Sequence, residues 1–128
     1  MSVDTLIVDD SAAFRRVLQS RLENIGCRIV AQAENSKDGL ELFRVHNPQL
    51  VTLDLMMPNG DFGPRDLFSF IRSESPKTAI VIISVHLQNA NASAFLADGA
   101  VAYIEKTFMD FSKIAVMLRK VLPELAMA

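Results

Sequence analysis

The chain has a single cysteine, Cys27, so neither a disulfide framework nor a multi-cysteine zinc site can exist within it, and a free thiol fits a reducing cytoplasm. It has little excess charge. Fifteen acidic residues face thirteen basic ones, a net charge of −2, which gives no electrostatic reason to expect nucleic acid or an anionic membrane as a direct partner. No apolar run approaches the roughly 18 residues needed to span a bilayer, and the N-terminus has no basic stretch followed by an apolar one, so a cytoplasmic location is expected. The two histidines, His46 and His86, stand too far apart in sequence to suggest a metal pair. Internal repeats, low-complexity segments and interdomain linkers are also missing. What remains is 128 residues, 50% hydrophobic and 22% charged, the size and composition of one globular domain spanning residues 1–128.

Five short apolar runs stand out: "TLIVD" (5–9), "RIVAQA" (28–33), "LVTLD" (50–54), "AIVIIS" (79–84) and "VAYIE" (101–105). They are rich in Val and Ile and lack strict alternation, the pattern of strands buried on both faces of a parallel sheet. Between them apolar residues recur at helical spacing: Phe14, Val17, Leu18, Leu22 and Ile25; Leu40, Leu42 and Phe43; Leu67, Phe68 and Ile71; and Phe111, Ile114, Met117, Leu118 and Val121. The punctuation agrees. Gly26 can end the first helix, Ser36 can cap the second with Gly39 as an early weak point, and Pro48 and Pro76 precede the third and fourth strands. The pattern predicts an α/β fold, (βα)₅, with right-handed crossovers and helices on both sheet faces.

In an open parallel sheet, ligands bind beyond the carboxyl ends of the strands. Here those ends carry Asp9 and Asp10, Asp54, Ser84 and Lys106, which aims three carboxylates, a hydroxyl and an ammonium at one crevice. Clustered carboxylates raise one another's pKa unless a cation neutralises them. Oxygen donors without His or Cys favour Mg²⁺, which takes one or two carboxylates together with waters and phosphate oxygens. The inventory suits phosphoryl transfer, with Asp54 the candidate nucleophile for an acyl phosphate.

The set and order of "LIVDD", "LVTLDLMMP", "VIISV" and "AYIEK" resemble the receiver domains of two-component response regulators, including the single-domain chemotaxis type, over essentially the whole chain. The resemblance implies a flavodoxin-like, doubly wound five-stranded parallel sheet in the order 2-1-3-4-5. It implies that Asp54 accepts a phosphoryl group from a histidine kinase or histidine phosphotransfer protein, in a Mg²⁺-dependent reaction. Asp10, Asp54 and the backbone carbonyl of Met56 would ligate Mg²⁺, and Asp9 would act mainly through water. Ser84 and Tyr103 would be the switching residues and Lys106 the contact to the phosphoryl group, with Met56, Val85 and His86 flanking it. A downstream protein would bind the face formed by the fourth helix, fifth strand and fifth helix, where a phosphorylation-linked homodimer is also expected to be feasible. Such a protein catalyses only its own phosphorylation and dephosphorylation and turns over no external metabolite.

Three features depart from the family pattern. Thr107 follows Lys106 where relatives carry proline. A cis bond costs roughly 2.5–4 kcal/mol before a non-proline residue, so a trans bond is expected unless its surroundings hold it cis. Val85 replaces a smaller residue, and the loop "MMPNGDFGPRD" is about two residues longer than usual and rich in turn-formers. Val85 and Thr107 motivate the alternative of a degenerate receiver serving as a phosphorylation-independent interaction module. An FMN binder shares the strand order, but Asp9 and Asp10 would repel its phosphate. Each residue alone also has an ordinary reading: Asp9, Asp10 and Ser11 as helix caps, Asp54 as a loop start, Ser84 and Lys106 as surface groups, Tyr103 as core, and Arg15 and Arg16 as a solvated helix face.

Overall fold

A computed structural model describes residues 2–58, 60–85, 89–106 and 111–122. Strands and helices alternate from end to end: β1 (Val3–Val8), α1 (Ala12–Asn24), β2 (Cys27–Ala33), α2 (Ser36–His46), β3 (Leu50–Leu53), α3 (Pro64–Glu74), β4 (Ala79–Ser84), α4 (Asn89–Ala97), β5 (Ala102–Glu105) and α5 (Phe111–Val121). All four strand pairings are parallel and the order is β2-β1-β3-β4-β5, as the resemblance implied.

The continuous apolar runs arise because both faces of the sheet are covered. Every residue of β3 and β4 is buried. Ile7, Leu50, Val81 and Ile83 face one way and pack with Leu18 and Leu22 of α1 and Ile114 and Leu118 of α5. Leu6, Val8, Val51, Leu53, Ile80 and Ile82 face the other way, against Phe43 of α2, Leu67, Phe68 and Ile71 of α3, and Phe95 of α4. Alternate residues of one strand thus serve two cores, and neither face is left for water. Cys27 lies buried as a free thiol at the start of β2.

Local chemistry sets the ends of the elements. Ser11 caps α1 by accepting from the Phe14 N–H at 3.2 Å, and the left-handed Gly26 (φ 106°) turns the chain out of it. The second cap differs from expectation. Asn35 performs it, its Oδ1 accepting from the Asp38 N–H at 2.8 Å, while Ser36 is the first helical residue and is buried. Gly39 is a close-packing position rather than a weak point: a Cβ there would stand 3.0 Å from Leu67 Cδ2 and 3.2 Å from Val8 Cγ2, so its absence lets α2 seat against β1 and α3. Pro64 opens α3, where the Asp66 carboxylate accepts from the Gly63 N–H at 2.8 Å.

Candidate functional site

Three strands deliver the site residues one position beyond their regular ends, with the backbone still in the hydrogen-bond ladder. The Asp9 N–H donates to the carbonyl of Ala33, that of Asp54 to Val8, and that of Lys106 to Ser84, at 3.0, 3.0 and 2.8 Å. Each site residue is therefore pinned to the last residue of a neighbouring strand. The carboxyl edge of the sheet sets the spacing between residues that are far apart in the chain.

At this edge Asp9, Asp10 and Asp54 present carboxylate oxygens that all lie within 4.8 Å of one another. Asp9 and Asp54 are each 2% exposed, whereas Asp10 reaches solvent. Asp9 Oδ1 accepts from the Ser11 N–H at 2.8 Å, and Asp54 Oδ1 accepts from the Met56 N–H at 2.9 Å. The other oxygens of the two buried carboxylates face one ammonium: Lys106 Nζ stands 2.8 Å from Asp9 Oδ2 and 3.5 Å from Asp54 Oδ2. Lys106 is only 13% exposed in its side chain, and its Nζ lies 4.2 Å from the centre of the Phe14 ring, so a cation–π contact also holds it. Ser84, at the end of β4, is buried, and its Oγ has no hydrogen-bond partner among the described residues.

Three carboxylates against one ammonium leave an excess of negative charge at the edge of a dry core. Burial pushes the Asp54 carboxyl above its ordinary value of 3.8, with Asp9 and Asp10 adding to the rise, while the Met56 N–H and Lys106 oppose it. A divalent cation would relieve this imbalance. The donors are all oxygen, with neither nitrogen nor sulfur among them, so the residues fit Mg²⁺. The Ser84 hydroxyl and the Lys106 ammonium are donors suited to phosphoryl oxygens.

The remaining expected residues surround this centre. Met56 is 51% exposed and Val85 sits at the rim. Tyr103, on β5, is half-buried against the core facing α4, its ring 6.1 Å from that of Phe95, and burial raises its phenol pKa. His86 and Thr107, and with Thr107 the peptide joining it to Lys106, lie outside the described residues. Part of the ordinary reading is also correct, since Ser11 does cap α1. Arg15 differs from expectation: it is half-buried, donating from Nη1 to the Asp9 carbonyl at 2.6 Å and from Nε to Gln32 Oε1 at 3.3 Å. Helical periodicity marks Phe14 as core and leaves Arg15 on the polar face; it carries no signal for the contacts that both make to the acidic edge.

Residues 5–119 match the family model described as the response regulator receiver domain. The chain is 29% identical over 121 residues to the chemotaxis protein CheY of Thermotoga maritima, covering 94% of this chain and 98% of that protein. It is also 37% identical over 124 residues to a protein-glutamate methylesterase/protein-glutamine glutaminase of Oleidesulfovibrio alaskensis. That match takes in 95% of this chain but only 33% of the relative, so the chain spans about a third of the methylesterase's length. Among solved structures, the CheX–CheY–BeF3–Mg²⁺ complex from Borrelia burgdorferi is similar at a TM-score of 0.83 and 25% identity, covering 93% of this chain and 88% of that one. The (βα)₅ sheet, the acidic pocket at its carboxyl edge and a family match over nearly the whole chain lead to one conclusion: the chain belongs to the response regulator receiver domains of two-component signalling and is CheY-like.

Proposed function

We propose that Asp54 is the phosphoacceptor of a signalling switch. The observation that carries this reading is the pairing of a buried Asp54 with Lys106 and two further carboxylates at one strand edge, beside a Ser84 hydroxyl that has no hydrogen-bond partner. Receiver domains bind Mg²⁺ through an acidic pocket. In this chain Asp9, Asp10 and Asp54 would hold the ion, with the Met56 carbonyl as a further ligand. When bound, the cation supplies charge neutralisation for the incoming phosphoryl group.

An Asp54 carboxylate oxygen attacks the phosphorus of a phosphohistidine on a kinase or phosphotransfer protein. The new O–P bond forms as the N–P bond breaks, and the imidazole leaves as the neutral base after taking a proton. Lys106 and Ser84 contact the phosphoryl oxygens on Asp54, and Ser84 and Tyr103 move with them. Phosphorylation then favours one of two arrangements of the face built from α4, β5 and α5. Exposed Val17 between Ala13 and Ser20 on α1 suits a docking phosphodonor, and exposed Leu96 and Val116 on α4 and α5 suit a downstream protein or a second copy. The chain acts catalytically only on its own Asp54. Among the described residues no helix is long and apolar enough to cross a membrane.

The test is intact mass after incubation with acetyl phosphate or phosphoramidate. One added phosphoryl group that requires both Mg²⁺ and Asp54, and is absent in Asp54→Ala, is the expected result. No uptake by the wild type would overturn the reading.

A further inference from the structure

We propose that Arg15 is a positioning residue for the cation site, acting through the peptide that joins Asp9 to Asp10. This rests on the Mg²⁺ reading above. Asp9 and Asp54 are held directly, by N–H groups of Ser11 and Met56 and by Lys106. Asp10 is exposed, and where its carboxylate stands depends on the peptide that carries it. On one side of Asp9 the N–H is fixed to Ala33 at 3.0 Å; on the other the carbonyl accepts from Arg15 Nη1 at 2.6 Å.

The arginine is itself braced. Its Nε donates to Gln32 Oε1 at 3.3 Å, and Gln32 Nε2 donates to Gln19 Oε1 at 2.6 Å, so one planar guanidinium ties the Asp9 carbonyl to β2. With the Asp9 N–H held in the ladder and its carbonyl held by Arg15, rotation about both backbone bonds of Asp9 is restrained, and the peptide that follows cannot swing Asp10 away. Without Arg15 the carbonyl turns to water, the peptide gains freedom, and an arriving cation must order Asp10 at the expense of its own affinity. Partners of this kind behind metal ligands typically change affinity about 10–100-fold.

Electrostatics makes the inference sharply testable, because the guanidinium repels a divalent cation. Removing it should tighten Mg²⁺ binding if charge is all that matters, and weaken it if Arg15 positions the ligand. The experiment is calorimetric titration of Mg²⁺ alone into wild type, Arg15→Gln, Arg15→Lys and Arg16→Gln, each checked for folding in chelator. Arg16 is the exposed neighbour and controls for loss of the same charge from the same helix. Arg15→Gln is expected to bind about tenfold more weakly, Arg15→Lys about threefold more weakly, and Arg16→Gln as tightly as wild type or slightly more so.

Arg15→Gln binding as tightly as wild type or more tightly overturns the inference, as does an equal loss in Arg16→Gln. If Arg15→Gln does not fold, wild-type affinity in Arg15→Lys overturns it in the same way. A wild type that takes up no Mg²⁺ overturns the cation reading and this inference together, whereas intact binding in both wild type and Arg15→Gln overturns this inference alone.

Discussion

Asp54→Asn should make the metal-free protein more stable. The substitution removes one charge and keeps an amide oxygen able to accept from the Met56 N–H, now found 2.9 Å from Asp54 Oδ1. At an effective dielectric of about 20, attraction between Asp54 and Lys106 Nζ at 3.5 Å amounts to about 5 kcal/mol. Repulsion by Asp9, with one oxygen of each carboxylate no more than 4.8 Å apart, amounts to at least about 3.5 kcal/mol and offsets most of it. Lys106 keeps its shorter contact to Asp9 in the variant. The desolvation of a buried ion, several kcal/mol, therefore decides the sign, and Asp10 adds to it.

The expected gain is about 1–3 kcal/mol near neutral pH, or a rise in melting temperature of about 3–10 °C. Urea unfolding in EDTA measures it. The pH dependence has a definite direction. Asp54 has its folded pKa raised above 3.8, so the stability linked to its protonated form is fully present below 3.8 and is lost as pH rises through the folded value. The advantage of the variant should accordingly shrink as pH falls toward about 4. Mg²⁺ should reverse the order by stabilising wild type more than the variant. An Asp54→Asn protein that is less stable than wild type in EDTA at neutral pH would refute the account of burial and repulsion at this site.

Two further expectations concern residues beside the site. Thr52, on β3 between Ile7 and Val81, is buried, and its Oγ1 has no hydrogen-bond partner among the described residues; Thr52→Val should raise stability by about 1–2 kcal/mol in the same assay, and no gain would show that the hydroxyl is satisfied in solution. Tyr103 is the sole tyrosine and its phenol is raised above 10.0 by burial, so the midpoint of its phenolate absorbance should lie above 10.0 in the folded protein and near 10.0 in denaturant. By the same linkage, the stability that Tyr103 contributes is present below 10.0 and is lost as pH rises through its folded value. Equal titration curves would place the ring in water.

Much of this molecule is legible in its sequence. Val81 and Ile83 facing α1 and α5, with Ile80 and Ile82 facing the other helices, account for a strand whose sequence shows no alternation. Parallel pairing then makes the carboxyl ends of β1, β3 and β4 neighbours, which is why strand-end residue types alone group Asp9, Asp54 and Ser84. Strand ends were less sharp. β1 begins at Val3 and stops at Val8, and β3 stops at Leu53, because Asp9 and Asp54 keep only their N–H groups in the ladder while their side chains turn to the site. The second cap is ambiguous in sequence for a similar reason. Asn35 and Ser36 are both good capping residues, and only the path of the chain out of β2 selects Asn35.

Composition, the alternation of buried strands with amphipathic helices, and the residue types at strand ends carry the (βα)₅ fold and the acidic edge, because each reflects the burial period or backbone chemistry of a single element. The cation–π seat of Lys106 on Phe14, the seating of Gly39 against Val8 and Leu67, and the reach of Arg15 back to the Asp9 carbonyl depend on how elements meet. They were decided by helix placement on the sheet, where differences of about an ångström determine whether a charge finds a ring, a carbonyl or water.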